Sequence, residues 1–500
     1  MKNQQPHGKS QLGKSAFFAL IVVQFSIAFF AQASDSPTNA ALEEKIKRVE
    51  NGLLQTVRIT GQPYDKMALA DRLVALKVPA ISVAVANGNR VEWAKAYGLR
   101  DIEAKSPATI ETLFQAASIS KPVSAAAALH FVEKGLLDLD EDVNAKLVSW
   151  KIPENEFTAK TKVTLRHILS HSAGLTVHGF LGYPTGQPVP TLRQVLDGEK
   201  PANSVPIRVD ILPGSLWRYS GGGFTVMQQM LIDVLGKPFP DILKEAVLAP
   251  AGMTQSVFAQ PLSEARLPQG AVGYRSAGKP VEGGRYVYPE LAAAGLWTTP
   301  TDLCRFAMEI MNAYNGKPGK ILSPEMARKM LTVQKAPSGL GFMIQGEGAD
   351  FCFRHGGANT GFICDLFAFP AKGIAVAVMT NSDSGGALLS ELERSIAAEY
   401  GLFSSKIVEK TIVRLEAKTL DRYAGNYEIE FSGQPISAIV SREAGHILLN
   451  AMGFDIELYP ESETNFFSMD LSWSADFVLD EKGKVTGFIL DEEMKAKKID

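Results

Sequence analysis

The chain has 500 residues, of which 46% are hydrophobic and 21% carry a charge. It is longer than one ordinary domain, and its apolar content is ample for sizeable cores. The 51 basic and 54 acidic side chains give a formal net charge of −3, without a basic block or stripe of the kind that binds nucleic acid. We therefore expect a globular protein of more than one domain that has no nucleic-acid partner.

Residues 1–33 have the order of a secretory signal. Lysines precede an apolar stretch over residues 16–30, and Ala31-Gln32-Ala33 follows it. Basic, apolar and small residues in this order are typical of a signal peptide. An uncleaved anchor is the alternative, but the stretch is short for a membrane span and contains Gln24 and Ser26. The sequence predicts cleavage after Ala33, no stable membrane span afterwards, and a periplasmic or secreted protein.

The next part of the chain alternates between helical and strand patterns. Residues 34–64 are predicted as an N-terminal helical segment, and helical spacing returns over residues 67–77. Residues 80–86 and 90–97 have the composition of two strands, and Asn87-Gly88-Asn89 between them is typical of a hairpin turn. A hairpin is therefore expected before the long central region.

A mostly helical region, from Ser118 to about Gly252, separates this hairpin from a second group of strands. The later group is an antiparallel meander with a closing helix, over residues 351–354, 362–369, 374–380 and 387–400. For residues 65–402 we therefore expect an α/β (α+β) fold: an antiparallel sheet built from both ends, flanked by helices, with a helical region inserted. A cleft at the seam is where sites usually lie.

Residues 403–419 form a charged connector to a region of different composition. Residues 420–500 contain short alternating segments separated by glycine, asparagine and charged turns, at 423–429, 436–440, 446–449, 466–469, 477–479 and 485–490. This pattern predicts a small all-β domain, either a barrel or a sandwich. No group of residues in it suggests chemistry.

Three cysteines, Cys304, Cys352 and Cys364, allow at most one internal disulfide. Cys352 and Cys364 flank a predicted hairpin turn centred near Ala358. A bridge between them fits an oxidising compartment, but buried free thiols are the favoured alternative.

The sequence Ser118-Ile119-Ser120-Lys121 stands at the start of an alanine-rich helical run. Residues three apart share a helix face, so the lysine amine can reach the serine hydroxyl. Lysine becomes a useful base only when burial or a nearby cation lowers its pKa. A helix start also favours an alkoxide or oxyanion. The pattern recurs at Ser276 to Lys279, where Gly278 and Pro280 indicate a loop.

Two later segments supply candidate partners. Tyr219 lies in a glycine-rich loop and could relay a proton if a nearby cation lowers its pKa, although an aromatic side chain that caps the core is the alternative. His355 precedes Gly356 and Gly357, which remove side chains that would block a substrate along a strand edge. His355 could bind or polarise that substrate, or it could be structural.

Metal binding is the competing use of the histidines. His167 and His171 are four apart on one predicted helix, as zinc pairs can be. No acidic residue directly follows His167 and no third ligand is evident. We therefore expect packing and capping roles for this pair, and neither a metal nor another cofactor.

The order Ser-x-x-Lys, Tyr-Ser-Gly and His-Gly-Gly resembles the penicillin-recognising serine hydrolases, the class C β-lactamase-like family. The resemblance covers roughly residues 65–400. It implies that Ser118 is the acylated nucleophile and that Lys121 and Tyr219 share the acid and base roles. It also implies an oxyanion hole formed by the N–H groups of Ser118 and Ala358. The residues implied to border the substrate are His355, Gly357 and Gly221.

Two departures from the family pattern bear on the substrate. Gly221 replaces the asparagine whose amide holds a substrate side-chain carbonyl, and His355 replaces the lysine that meets a β-lactam carboxylate. Losing two such contacts disfavours efficient β-lactamase activity. The pattern thus resembles the D-aminopeptidase and esterase-like branches, and implies an acyl-enzyme hydrolase of small-molecule ester, peptide or cell-wall-derived substrates. The alternative is a non-catalytic sensor that binds cell-wall fragments or peptides.

Overall fold

The computed structural model describes residues 39–402, 407–431, 434–451, 454–469, 473–491 and 494–499. The predicted signal peptide, residues 1–33, lies outside the described residues. Within the described ranges, no helix has both the length and the apolar character needed to cross a membrane.

The helices and strands are numbered in chain order. The α-helices are α1 (Asn39–Glu50), α2 (Leu69–Ala75), α3 (Ser120–Glu133), α4 (Val143–Lys146), α5 (Leu165–Leu169), α6 (Leu192–Asp197), α7 (Gly221–Leu235), α8 (Phe239–Leu243), α9 (Ala249–Ala251), α10 (Leu291–Ala294), α11 (Pro300–Tyr314), α12 (Pro324–Met330), α13 (Gly385–Tyr400) and α14 (Ala417–Leu420). The strands before the C-terminal region are β1 (Val57–Ile59), β2 (Ala80–Asn87), β3 (Arg90–Asp101), β4 (Ser106–Pro107), β5 (Phe114–Gln115), β6 (Tyr183–Pro184), β7 (Val257–Phe258), β8 (Tyr286–Val287), β9 (Leu296–Thr298), β10 (Met343–Gln345), β11 (Cys352–Asn359), β12 (Phe362–Phe369) and β13 (Ile374–Thr380). The later strands are β14 (Val408–Lys410), β15 (Gly425–Phe431), β16 (Gln434–Arg442), β17 (Ile447–Ala451), β18 (Phe454–Pro460), β19 (Asn465–Phe467), β20 (Ser474–Leu479), β21 (Val485–Leu490) and β22 (Met494–Lys498).

The main sheet combines both ends of the first region, as the sequence predicts. Its seven strands follow the order β10-β11-β12-β13-β2-β3-β4, and each neighbouring pair is antiparallel. Every residue of β13 is buried, so both faces of the sheet are covered at its centre. Helix α11 packs against β2 and β13, and α13 packs against β12 and β13. The predicted antiparallel sheet with flanking helices is confirmed.

The inserted helical region is organised around α3. Residues 120–129 of this helix are all buried, because it contacts α7, α8, α10 and α12. The run Ala125–Ala128 has small side chains, which let neighbouring helices approach closely. The start of α3 is thereby held at the seam between the helical region and the sheet.

The C-terminal region forms a closed barrel of eight strands, β15 to β22 in sequential order. Its core combines aliphatic side chains with five buried aromatic ones, which are Tyr423, Tyr427, Phe466, Phe477 and Phe488. The sequence-based expectation of an all-β domain is confirmed, but β18 and β22 were missed. Strand β18 alternates buried and acidic residues as the predicted strands do, so its pattern was present in the sequence. Strand β22 has one buried residue among charged neighbours and lacks that pattern.

The barrel is joined to the first region by more than the chain connection. Strand β14 pairs in parallel with β1, with Val57 opposite Val408. Val57 and Ile59 also pack against Phe467 of the barrel. The charged connector therefore contributes a strand rather than only a flexible link.

The three cysteines are buried free thiols. The hairpin turn lies at Thr360-Gly361, between the paired residues Asn359 and Phe362, and not near Ala358 as the sequence suggested. Because of this register Cys364 is paired with Gly357, while Cys352 lies five residues before Gly357 at the start of β11. The alternative of a Cys352–Cys364 bridge is therefore wrong.

Candidate active site

Ser118 occupies a 3-10 turn, Ala117–Ile119, that leads directly into α3. Ala117 has φ of 47°, a left-handed conformation that costs a non-glycine residue roughly 1 to 2 kcal/mol. Ala117 and Ile119 are buried, whereas Ser118 is partly exposed. The strained turn thus presents the hydroxyl at the surface of the cleft while its neighbours anchor it in the core.

Lys121 is buried beside this hydroxyl. Its Nζ atom lies 2.9 Å from Ser118 Oγ and donates to the Ala293 carbonyl oxygen at 2.9 Å. The rings of Tyr219 and Phe224 lie 4.9 and 6.0 Å from Nζ. Burial lowers the pKa of Lys121 to about 7, because the charged ammonium loses its hydration there. A substantial fraction of the amine is therefore neutral at neutral pH.

Tyr219 lies in the loop before α7 and is held between two imidazole rings. Its ring stacks on His171 at a centroid distance of 4.2 Å and lies 4.8 Å from the ring of His178. A hydrogen bond with Ser118 lowers the Tyr219 pKa, but burial has the larger effect and raises it above its ordinary value of 10.0. The condition that a nearby cation lowers the pKa of this phenol is therefore not met, and Tyr219 is a neutral hydroxyl at pH 7.

The two histidines that were weighed as a zinc pair have separate structural partners. His167 Nδ1 accepts from the Thr164 N–H at 3.3 Å and completes the capping box of α5. His171 lies beyond the end of α5 with φ of 55°, and its Nδ1 accepts from the Ser220 N–H at 3.1 Å. In the described part of the chain, no group of three or more histidine, cysteine or acidic residues could hold a metal ion.

Strand β11 passes directly beside the turn that carries Ser118. A side chain on Gly357 would place its Cβ atom 2.3 Å from the Ala116 carbonyl oxygen and 2.7 Å from Cys364 Sγ. Only a glycine at position 357 therefore allows β11 to lie this close to the turn that carries Ser118. Strand β10 pairs with β11 over residues 352–354 alone, so the edge that includes Ala358 has no strand partner among the described residues.

His355 is within β11 rather than at its end, and it is buried. Its Nδ1 atom lies 2.6 Å from the Gly356 carbonyl oxygen, so Nδ1 carries the proton and Nε2 is an acceptor. Nε2 is buried and has no hydrogen-bond partner among the described residues. Burial and the nearby Lys121 lower the pKa of His355 to about 3. Its position therefore carries no fixed positive charge at neutral pH.

Gly221 begins α7, where the resemblance places an asparagine. A Cβ atom there would lie 3.0 Å from the His178 carbonyl oxygen and 3.1 Å from the Phe180 ring. The space that an asparagine side chain would need is thus occupied by the chain after α5. This crowding explains why position 221 is a glycine and not an asparagine, while the contact between Ser118 and Lys121 is retained.

Three contributors to the site were missed by the sequence reasoning. His178 and Phe180 lie in an irregular segment that matches no motif. Ala293 contributes a backbone carbonyl oxygen, which no side-chain pattern can reveal. Only the spatial proximity of these segments to Tyr219 and Lys121 identifies them.

Gly221→Asn is expected to lower the free energy of unfolding by about 1 to 3 kcal/mol, because the new amide displaces Phe180 or the His178 carbonyl. It should not produce hydrolysis of a chromogenic cephalosporin. Urea unfolding and a spectrophotometric assay measure the two effects, and adding Phe180→Ala should recover part of the stability. A gain of cephalosporin hydrolysis at unchanged stability would contradict this explanation.

The seam between the sheet and the helical region thus holds a serine, a near-neutral lysine and a glycine-lined strand edge, which define a serine hydrolase of the acyl-enzyme type. Residues 67–400 match the family described as Beta-lactamase, and the chain belongs to this family. Residues 410–500 match the family described as Domain of unknown function (DUF3471).

The chain is similar in sequence to curated relatives and similar in fold to a solved structure. The chain is 25% identical over 450 residues to penicillin-binding protein 4* of Bacillus subtilis (strain 168), covering 82% of this chain and 92% of the relative. It is 30% identical over 217 residues to esterase EstB of Burkholderia gladioli, covering 40% and 54%. The fold is similar to the octameric penicillin-binding protein homologue from Pyrococcus abyssi, with a TM-score of 0.56, 24% identity and coverage of 86% and 98%.

Proposed function

We propose that this protein hydrolyses uncharged carboxylic esters through an acyl-enzyme on Ser118. The observation that carries the proposal is the 2.9 Å contact between Ser118 Oγ and the Lys121 amine. Because burial lowers the pKa of that amine to about 7, it can accept a proton near neutral pH. A sensor that only binds its ligand has no need of a buried, near-neutral lysine.

In the acylation step, neutral Lys121 takes the Ser118 proton while Oγ bonds to the ester carbonyl carbon. The negative charge that forms on the carbonyl oxygen is stabilised by the N–H groups of Ser118 and Ala358. The C–O bond to the alcohol then breaks. The leaving alkoxide receives the proton from Lys121, relayed by the hydroxyl of Tyr219, and the neutral alcohol departs.

In the deacylation step, water gives a proton to the Lys121 and Tyr219 pair and its oxygen bonds to the acyl carbonyl carbon. The bond from that carbon to Ser118 Oγ breaks, and Oγ regains the proton. The products are the carboxylic acid and the free enzyme. His355 and Gly357 border the acyl group in both steps.

The charges around the site support an uncharged substrate. Among the described residues, only burial shifts the pKa of Lys121, whereas a carboxylate close to the amine would raise it. A substrate ammonium would therefore lack a counter-ion there. A substrate carboxylate would meet uncharged imidazoles at neutral pH, because His355 and His178 both have lowered pKa values. This disfavours β-lactams, which carry a carboxylate, and amides with a free amine.

The proposal includes the location of the protein. The signal-like order of residues 1–33 supports work outside the cytoplasm, in the periplasm or as a secreted enzyme. The substrates are then small uncharged esters of that compartment.

Burst kinetics with a chromogenic ester test the proposal. A burst of alcohol release followed by steady turnover is expected, because an acyl-enzyme forms and then hydrolyses. Mass spectrometry after exposure to a fluorophosphonate should show one adduct on Ser118, and Ser118→Ala should remove it. Saturable binding without product would support the sensor, and labelling of another residue in folded protein would overturn the role of Ser118.

A further inference from the structure

His171 contacts Tyr219 and both of its neighbours in the sequence. The Arg218 N–H donates to the His171 carbonyl oxygen at 2.7 Å, and the Ser220 N–H donates to His171 Nδ1 at 3.1 Å. Between these two hydrogen bonds the Tyr219 ring stacks on the imidazole, with a centroid distance of 4.2 Å and an angle of 27° between the ring planes. One residue therefore holds the backbone on both sides of Tyr219 and also supports the phenol ring.

The position of His171 is itself fixed by the surrounding structure. Its backbone has φ of 55°, and its N–H donates to the carbonyl oxygen of Ile168 in α5 at 3.2 Å. The rings of Trp217 and Phe224 lie 6.3 and 5.4 Å from the imidazole, which is buried. The imidazole is therefore a rigid support for the phenol.

A histidine is costly at this buried position. Burial, and after it the nearby Lys121, lower the pKa of His171 well below its ordinary value of 6.5. Because Nδ1 accepts a hydrogen bond, the proton of the neutral ring is on Nε2. Within the part of the chain that the structure describes, no group hydrogen-bonds to the buried Nε2, and such an orphaned N–H destabilises a fold. Packing alone gives no reason for a histidine, whereas its ring and its acceptor nitrogen both hold the segment around Tyr219.

We propose that His171 is a positioning residue that holds the Tyr219 hydroxyl between Lys121 and the leaving group of the ester. The inference rests on the proposed function, in which Tyr219 relays a proton from Lys121 to the departing alkoxide. The phenol can relay this proton only if its hydroxyl stays within hydrogen-bond reach of both groups. A displacement of about 1 Å can lower a rate by about 10². His171 thereby acts in the release of the alcohol, beyond the packing and capping role that the sequence predicts.

Two esters with the same acyl group separate this role from general support of the fold. Ethyl pentanoate releases an alkoxide that needs a proton, whereas p-nitrophenyl pentanoate releases a stable phenolate that does not. The value of kcat/KM reports the steps up to acyl-enzyme formation. The ratio of the two values, measured on one sample, does not depend on the fraction of protein that is folded.

The variants of the full chain each remove one of the two side-chain contacts. His171→Asn removes the ring, while the amide oxygen can accept from the Ser220 N–H and asparagine tolerates a left-handed φ. His171→Phe keeps a ring and removes the acceptor. Each is expected to lower kcat/KM about tenfold for the ethyl ester and less than about threefold for the p-nitrophenyl ester. His167→Asn is the control and should leave the ratio unchanged, because His167 Nδ1 accepts from the Thr164 N–H.

A double-mutant cycle connects the effect to Tyr219. In combination with Tyr219→Phe, which removes the hydroxyl, His171→Asn should change kcat/KM for the ethyl ester by less than about twofold. Losses that add in the double variant would overturn the inference. Equal losses for both esters, or no loss in either single variant, would also overturn it while the proposed function stands.

The remaining outcomes are equally decisive. If circular dichroism shows that neither His171 variant folds, the residue is needed for folding and the inference is overturned. A wild-type protein that hydrolyses only the p-nitrophenyl ester has no proton relay to the alcohol, which overturns the inference and leaves the acyl-enzyme in place. If the wild-type protein hydrolyses neither ester, the proposed function fails and the inference fails with it.

Discussion

Lys121→Met is expected to lower kcat by about a thousandfold, because general-base catalysis contributes roughly 10² to 10⁴. Methionine has a similar length and fills the same buried space without an amine that can take the Ser118 proton. Steady-state kinetics with an uncharged chromogenic ester measure the loss. Lys372→Met is the matched control, because Lys372 donates to Asp350 and to the Gly401 carbonyl and not to Ser118.

The same lysine sets the expected pH dependence. The kcat/KM of the wild-type enzyme should rise with pH through about 7, where Lys121 loses its proton. An activity that is constant from pH 5 to 9 would contradict the base role. Lys121→Met should have lost this transition, whereas Lys372→Met should retain it.

The substitution Lys121→Met should change stability in the direction opposite to activity. The folded-state pKa of Lys121 is lowered from 10.5 to about 7, so between these values the unfolded chain binds one proton more than the folded chain. The free energy of unfolding therefore rises with pH across this window. At pH 7 and below, Lys121→Met should be more stable than the wild type by a few kcal/mol. Thermal unfolding at pH 6.5 and pH 10 measures the difference, which should be much smaller at the higher pH.

Gly357→Ala is expected to lower kcat/KM by about a hundredfold and the free energy of unfolding by about 1 to 3 kcal/mol. The added methyl group would lie 2.3 Å from the Ala116 carbonyl oxygen, so β11 must move away from the turn that carries Ser118. This movement separates the N–H groups of Ser118 and Ala358, which we propose as the oxyanion hole.

Gly356→Ala is the matched control for this change. Its Cβ atom would meet only the Cys364 carbonyl oxygen, at 3.8 Å, which is an ordinary contact. Its free energy of unfolding should stay within about 0.5 kcal/mol of the wild type. Equal losses in the free energy of unfolding for the two substitutions would show that the close packing of Gly357 on Ala116 is not the cause of the cost of Gly357→Ala.

The barrel shows which strands can be predicted from a local sequence pattern and which cannot. Strands β15, β16, β17 and β19 to β21 were predictable because their inward residues alternate with polar ones. Strand β22, with the sequence Met494 to Lys498, has one buried residue among charged neighbours. Its hydrogen bonds to β15 and β21 hold it as a strand, and pairing of this kind depends on residues distant in sequence.

By itself, the sequence determined the antiparallel sheet, the helical insertion, the all-β C-terminal region and the pairing of Ser118 with Lys121. These features follow from periodicity, turn residues and the spacing of one helical turn, which act over a few residues. Only the tertiary structure decided the lowered pKa of Lys121, the raised pKa of Tyr219, the free cysteines and the contact of His178 with Tyr219. Desolvation and side-chain proximity depend on which distant segments pack together, and this information is not local to any stretch of the chain.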